Sequence, residues 1–177
     1  MHKIIYILFS GLSFLSAVQA QDKEYVYQDT LIKKDAGKIE QAPAEDHTLN
    51  GNYENERPDV IFLEGQSSLR NPSGPCGSEL LVSGNAKKVI LVHAPKRTYF
   101  DDDPKWGALP TVQSELSLIQ AYGSEVIGLA LNTKDCTLEE SRKFSAHLEM
   151  ELKIPVVLPL EEGVSDLIYS IQKLVEV

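Results

Sequence analysis

The sequence predicts an α/β protein: a three-layer, doubly wound, mostly parallel sheet. Short apolar runs recur as Val60-Ile61-Phe62-Leu63, Val89-Ile90-Leu91-Val92 and Val126 to Leu131. Stretches with helical spacing lie between them, and strands apolar on both faces need cover on both sides. Right-handed crossovers then make such strands parallel. At 177 residues, with 42% hydrophobic and 24% charged, the chain holds one ordinary core.

In chain order, His2 and Lys3 precede an apolar run from Ile4 to Leu15 and a small-residue ending, Val18-Gln19-Ala20. This order predicts a signal peptide over 1–20, too short to span a bilayer permanently. The chain is therefore expected to be exported, periplasmic or secreted, and to meet a membrane only through that segment; a cytoplasmic chain is the alternative. Residues 21–57 carry fourteen charged side chains and few large apolar ones. Such a stretch does not repay its ordering entropy, which predicts a polar, partly disordered spacer with at most a local hairpin around Tyr25 to Ile32.

The domain is expected over 58–177, with Val60 to Leu63 as its first strand. Gly77 to Ser83 reads as a short helix closed by Gly84, and Val89 to Val92 as the second strand. Thr111 or Ser114 caps a helix that runs through Tyr122 to Gly123, followed by the third strand, Val126 to Leu131. Thr137, with Glu140 three residues on, forms a capping box at the head of a helix to about Leu152. Pro155 to Leu158 is the fourth strand and Val164 to Val175 the last helix. Leu116 with Ile119, and Phe144 with Leu148 and Leu152, supply the inward stripes.

A net charge of −9 speaks against a nucleic-acid surface, which needs clustered Lys and Arg facing phosphate. Any anion site is then a local exception to an acidic field. Cys76 and Cys136 read as two small, partly buried thiols, although an oxidising compartment would permit their pairing. Neither their spacing nor the scattered histidines resemble a metal site.

Ligands of doubly wound sheets bind beyond the carboxyl ends of the strands, where strand order reverses. Those ends carry Glu64-Gly65-Gln66, His93 with Lys96 and Arg97, Asn132-Thr133, and Glu161-Glu162-Gly163. Glu64 stands where a strand-end acid holds magnesium, or else faces solvent. Lys96 and Arg97 either grip a carboxylate or phosphate, or pair on the surface with Asp101, Asp102 or Asp103. The Asp triplet itself reads as a solvated loop. The Gly74 to Ser78 stretch offers free amides at a helix start, and Cys76 with His93 as base is a weaker nucleophile reading. Asn132 suits a base edge, or caps the next turn.

The runs "DVIFLEGQSSLRNPSG", "VILVHAPKRTYFDD" and "EVIGLALNTKD" resemble the C-terminal domain of the D-glutamate N-acetyltransferase-like family, proteins of P-loop NTPase fold. The resemblance covers Asp59 to near Val177. It implies D-amino-acid metabolism, acetyl transfer to the amino group of D-glutamate, and acetyl-coenzyme A or a magnesium nucleotide as cofactor. Glu64 and Gln66 match the acidic strand-end motif, His93, Pro95 and Arg97 the next loop, and Asn132 a base-reading position of related folds. Glu64 and His93 are thus the catalytic candidates, and Gln66, Gly74, Gly77, Lys96, Arg97 and Asn132 the ligand-binding ones. The family's N-terminal domain and its G-x-x-x-x-G-K-[ST] loop have no counterpart here. The strands expected to be missing would leave an open sheet edge for a partner chain or second copy. A non-catalytic exported module that binds an acidic small molecule is the alternative function.

Overall fold

The computed structural model describes residues 3–8, 30–32, 39–41, 60–65, 68–74 and 77–175. In chain order they form β1 (Lys3–Leu8), β2 (Thr30–Ile32), β3 (Ile39–Gln41), β4 (Val60–Gly65), α1 (Ser78–Val82) and β5 (Lys88–His93). Two single 3₁₀ turns follow, Phe100–Asp102 and Pro104–Trp106. The chain continues with α2 (Val112–Ala121), β6 (Glu125–Leu131), α3 (Leu138–Leu152), β7 (Val156–Val157) and α4 (Ser165–Val175).

All seven strands share one sheet in the order β3-β2-β4-β1-β5-β6-β7. β4, β1, β5, β6 and β7 are parallel, and the β2–β3 hairpin adds antiparallel strands on the outer side of β4. The parallel strands thus read second, first, third, fourth, fifth in chain order. Strand order reverses between β1 and β5, and a doubly wound sheet opens its ligand crevice at that reversal.

Each face of the sheet is covered, as two-sided apolar strands require. Ile61, Leu63, Val89, Leu91, Leu129 and Leu131 pack with Leu81 of α1, Ile119 of α2 and, from α3, Phe144, Leu148 and Leu152. Val60, Ile90, Val92, Ala130 and Val157 pack instead with Leu167 and Ile171 of α4. A bulge in β6 keeps both layers filled: the pairing with β5 passes from Val126 to Gly128, skipping Ile127. Gly128 then faces α4, where a Cβ would meet Leu167 Cδ2 at 2.2 Å. The missing side chain lets the helix close on the sheet.

Helix ends follow their local chemistry. The Thr111 side chain accepts from the Ser114 amide at the head of α2, which selects Thr111 as the cap over Ser114. Gly123, at φ +76°, turns the chain out after α2. At α3 the Thr137–Glu140 capping box is complete in both directions.

The sheet is wider than the sequence indicates, and draws strands from both sides of the expected division at residue 57. Lys3–Leu8, within the segment expected as a leader, lies between β4 and β5. Thr30–Ile32 and Ile39–Gln41, within the expected spacer, pair with each other and with β4. The edge of β4 is therefore covered by β2, and β3 and β7 are the outer strands of the described sheet. Composition does not separate the two uses: an uninterrupted apolar run is common to a leader and to a strand buried on both faces. The expected cleavage site at Ala20 lies outside the described residues. Among the described residues, no helix is long and apolar enough to cross a membrane.

A removable leader and an interior strand are incompatible uses of the same six residues. A chain that starts at Gln21 is expected to lose cooperative urea unfolding, and the protein from its natural host to keep residues 3–8 by N-terminal mass spectrometry. A cooperatively folded chain without residues 1–20 would restore the leader reading.

Candidate functional site

Because five strands are parallel, their carboxyl ends lie on one edge, and the loops after β4, β5, β6 and β7 form its rim. β4, β1 and β5 are in register at Gly65, Leu8 and Leu91. His93 thus stands two residues further along β5, and Glu64 is the penultimate residue of β4. The Asn132 amide donates to the His93 carbonyl at 2.7 Å, which fixes the loops after β5 and β6 side by side. Gln66 and Cys76 lie outside the described residues.

His93 is mostly buried, and desolvation lowers its pKa to about 4. Its imidazole is neutral near pH 7, an acceptor ready for a proton but a weak base. The Asn132 side-chain oxygen accepts from the Lys134 amide at 3.1 Å. It caps the turn that follows, which is the local use of Asn132.

Arg97 and Lys96 have separate partners. Lys96 Nζ bonds to Glu140 Oε2 at 2.7 Å and to the Asp135 carbonyl at 2.8 Å. The Glu140 contact raises the pKa of Lys96, and the same bond, with the Thr137 amide, lowers that of Glu140 to about 2. Lys96 is thereby committed to the cap of α3, a use the sequence reading did not include. Arg97 Nε lies 3.3 Å from Asp102 Oδ1, and Lys134 Nζ 2.8 Å from Asp102 Oδ2. The expected pairing of Arg97 with the Asp triplet is present, with Lys134 as an unanticipated third member.

The triplet is solvent-facing, with Asp101 and Asp102 exposed, and each of its carboxylates is also hydrogen-bonded. Asp101 accepts from Asn71 Nδ2 at 3.3 Å and from Ser73 Oγ at 2.7 Å, which joins the loops after β4 and β5. Asp102 joins the loops after β5 and β6, and Asp103 accepts from the Lys105 amide at 3.0 Å. Further along the rim, Thr133 Oγ1 donates to Glu161 Oε1 and Arg142 Nε to Glu162 Oε1 at 2.7 Å.

Gly77 is the buried N-cap of the five-residue α1, and the Gly74 amide donates to the Asn71 carbonyl at 3.2 Å. Both hold the loop in shape, and Gly74's amide is already used. Cys136 is a free thiol. Arg70 and Glu115 were missed from sequence: Arg70 Nε and Nη2 both reach Glu115 Oε1, at 2.9 and 2.7 Å, while Glu115 Oε2 is buried with no hydrogen-bond partner. The available signal was a Glu in the apolar stripe Val112–Glu115–Ile119, all three of which are buried.

A parallel sheet in this order, covered by helices on both faces, belongs to the doubly wound α/β folds. Residues 20–168 match the C-terminal P-loop domain of DUF1611, a family of unknown function, and the chain belongs to that family. It is 24% identical over 117 residues to a D-glutamate N-acetyltransferase of a Pseudoalteromonas species, a match that covers 62% of this chain and 35% of the relative. A crystal structure of a DUF1611 family protein from Anabaena variabilis superposes with a TM-score of 0.69 at 15% identity, over 97% of this chain and 57% of that one. The chain thus spans about a third of the curated relative's length. The family match begins well before Asp59, in keeping with the wider sheet.

The buried imidazole makes stability depend on pH. Unfolded, His93 titrates near 6.5, and folded near 4, so between these values the unfolded chain binds the additional proton. Stability is expected to fall as pH drops from 6.5 toward 4, with no further loss from this group below 4. The loss tied to Glu140 falls between 4.5 and about 2, so the window from 6.5 to 4.5 separates His93 from Glu140. Urea midpoints across that window should flatten in His93→Asn; an unchanged slope would assign it to other groups.

Proposed function

We propose that this chain binds a small carboxylate or phosphate ligand at the carboxyl edge of β4, β5 and β6. The carrying observation is positional: the loops after β5 and β6 bring His93, Arg97, Asn132 and Lys134 to one rim beside the strand-order reversal. Two cations meeting there are the local exception that a chain of net charge −9 needs in order to hold an anion.

D-glutamate is the first ligand to test, because the curated relative is a D-glutamate N-acetyltransferase. The family resemblance carries acetyl transfer and D-amino-acid metabolism to this chain as expectations. The donor set speaks for binding ahead of catalysis. Acetyl-coenzyme A or a magnesium nucleotide would bring several phosphate charges to a rim where Lys96 and Lys134 are each already held by a carboxylate. The described residues do not fit that load, and the G-x-x-x-x-G-K-[ST] run that would carry it is absent from the sequence. An imidazole with a pKa of about 4 is also a poor match for removing a proton from an amino group. No acetyl-transfer step is assigned to these residues. A non-catalytic module for an acidic small molecule is the reading these features favour, and whether it is exported turns on the fate of residues 3–8.

Calorimetry on the full chain with D-glutamate, acetyl-coenzyme A and ATP with magnesium tests the reading. D-glutamate is expected to bind and the other two to give no heat. Arg97→Ala should weaken D-glutamate by about 2 kcal/mol, roughly thirtyfold in Kd. Acetyl-coenzyme A binding tighter than D-glutamate would move the chain to the enzymes, and silence toward all three would remove the anion site.

A further inference from the structure

Residues 98–109 leave the rim as a closed excursion. Leu109 N donates to the Thr98 carbonyl at 2.9 Å and Phe100 N to the Gly107 carbonyl at 3.1 Å, and Tyr99 bridges Ala108. Phe100 is buried and anchors the base. At the turn, Asp101 and Asp102 are both left-handed, with φ of +54° and +58°. Two consecutive non-glycine residues in that region persist only where surrounding contacts impose it. Those contacts are known: Asp101 is held by Asn71 and Ser73, and Asp102 by Arg97 and Lys134.

The Asp102 carboxylate therefore sits between two cations from two different loops, one oxygen on each. This is how a carboxylate or phosphate group of a ligand would be received. Arg97 is 15% exposed, which makes it a partly desolvated donor, whereas Asp102 at 46% and Lys134 at 57% are open to solvent. A soluble anion can therefore reach Lys134 and compete for Arg97. Lys96, beside Arg97 in this loop, is tied into the α3 cap, and Lys105 to Asp103.

We propose that Arg97 and Lys134 form the anion subsite of the rim, and that Asp102 occupies it as an internal stand-in which the ligand must displace. This rests on the rim being an anion site, as proposed above. It adds the particular cation pair, the ligand group it takes, a phosphate or carboxylate, and a self-blocking contact. Displacement frees the turn from one of its two anchors, while Asp101 and the buried Phe100 keep the base of the excursion in place.

Titration calorimetry of the full chain with inorganic phosphate, and separately with D-glutamate, reads the competition. Asp102→Asn should tighten phosphate about tenfold. Asp103→Asn removes the same charge one residue away, on the Lys105 side, and should change the affinity by less than twofold. Lys134→Met placed on Asp102→Asn should abolish the gain. Asp102→Gly, which suits the left-handed backbone and carries no carboxylate, should reproduce the gain and guards against a folding defect in the first variant. Equal phosphate affinity in Asp102→Asn and Asp103→Asn, or a gain that survives Lys134→Met, overturns the proposal. D-glutamate binding by the unsubstituted chain that is indifferent to Asp102→Asn also overturns it, and leaves the rim reading intact. A gain for phosphate with no heat from D-glutamate supports the stand-in and discards D-glutamate as the rim's ligand.

Discussion

The rim depends on one constraint, the burial of β5 on both faces. Val89 and Leu91 face one layer, Ile90 and Val92 the other, and none of the four is more than 4% exposed. A strand enclosed in this way can place polar groups only at its ends, because a polar side chain along its length would lose its hydration with nothing in return. His93 is the first residue at which the enclosure opens, and its depressed pKa records that the opening is incomplete. The hydrogen bond from the Asn132 amide to the His93 carbonyl extends the β5–β6 ladder to the same point, so the two loops start from fixed positions.

From that edge outward, charge takes over from apolar packing. The chain is strongly acidic, yet its described rim cations are not dispersed in the acidic field: Lys96 is on Glu140, Lys134 on Asp102 and Arg142 on Glu162. Isolated surface pairs contribute little stability, so their value here is geometric. Glu140 serves the α3 cap and Lys96 at once, and the Asp triplet fastens three loops to one another. Arg70 and Glu115 do the same between the loop after β4 and the start of α2, with the acid more buried than the base.

Most of the fold was legible from sequence wherever a run was apolar and bounded by turn residues. Val60 to Leu63, Val89 to Val92 and Val126 to Leu131 became strands, and the Thr137–Glu140 spacing became the capping box it resembles. β1 was not foreseen as a strand because composition cannot distinguish a leader from an interior strand. β2 and β3 escaped because three-residue strands in an acidic stretch, Thr30-Leu31-Ile32 and Ile39-Glu40-Gln41, carry almost no periodic signal. The rim residues were legible for a topological reason, since strand ends mark the edge whatever their chemistry. The partners were not. Asp102 meets Lys134 across 32 residues and Arg70 meets Glu115 across 45, distances at which sequence spacing says nothing about contact.

What the family's P-loop domain becomes without its lysine-bearing loop follows from these charges. In a phosphate loop, backbone amides and one Lys supply an anion cradle that does not rearrange. After β1 this sequence reads Phe9-Ser10-Gly11-Leu12-Ser13, with no cation to serve that role. Positive charge at the strand reversal comes instead from the loops after β5 and β6, through Arg97 and Lys134. Side-chain cations on loops are weaker and more salt-sensitive holders than oriented amides. They can also be occupied by a neighbouring carboxylate, which amides in a closed loop resist. At this rim both cations are so occupied, by the two oxygens of Asp102.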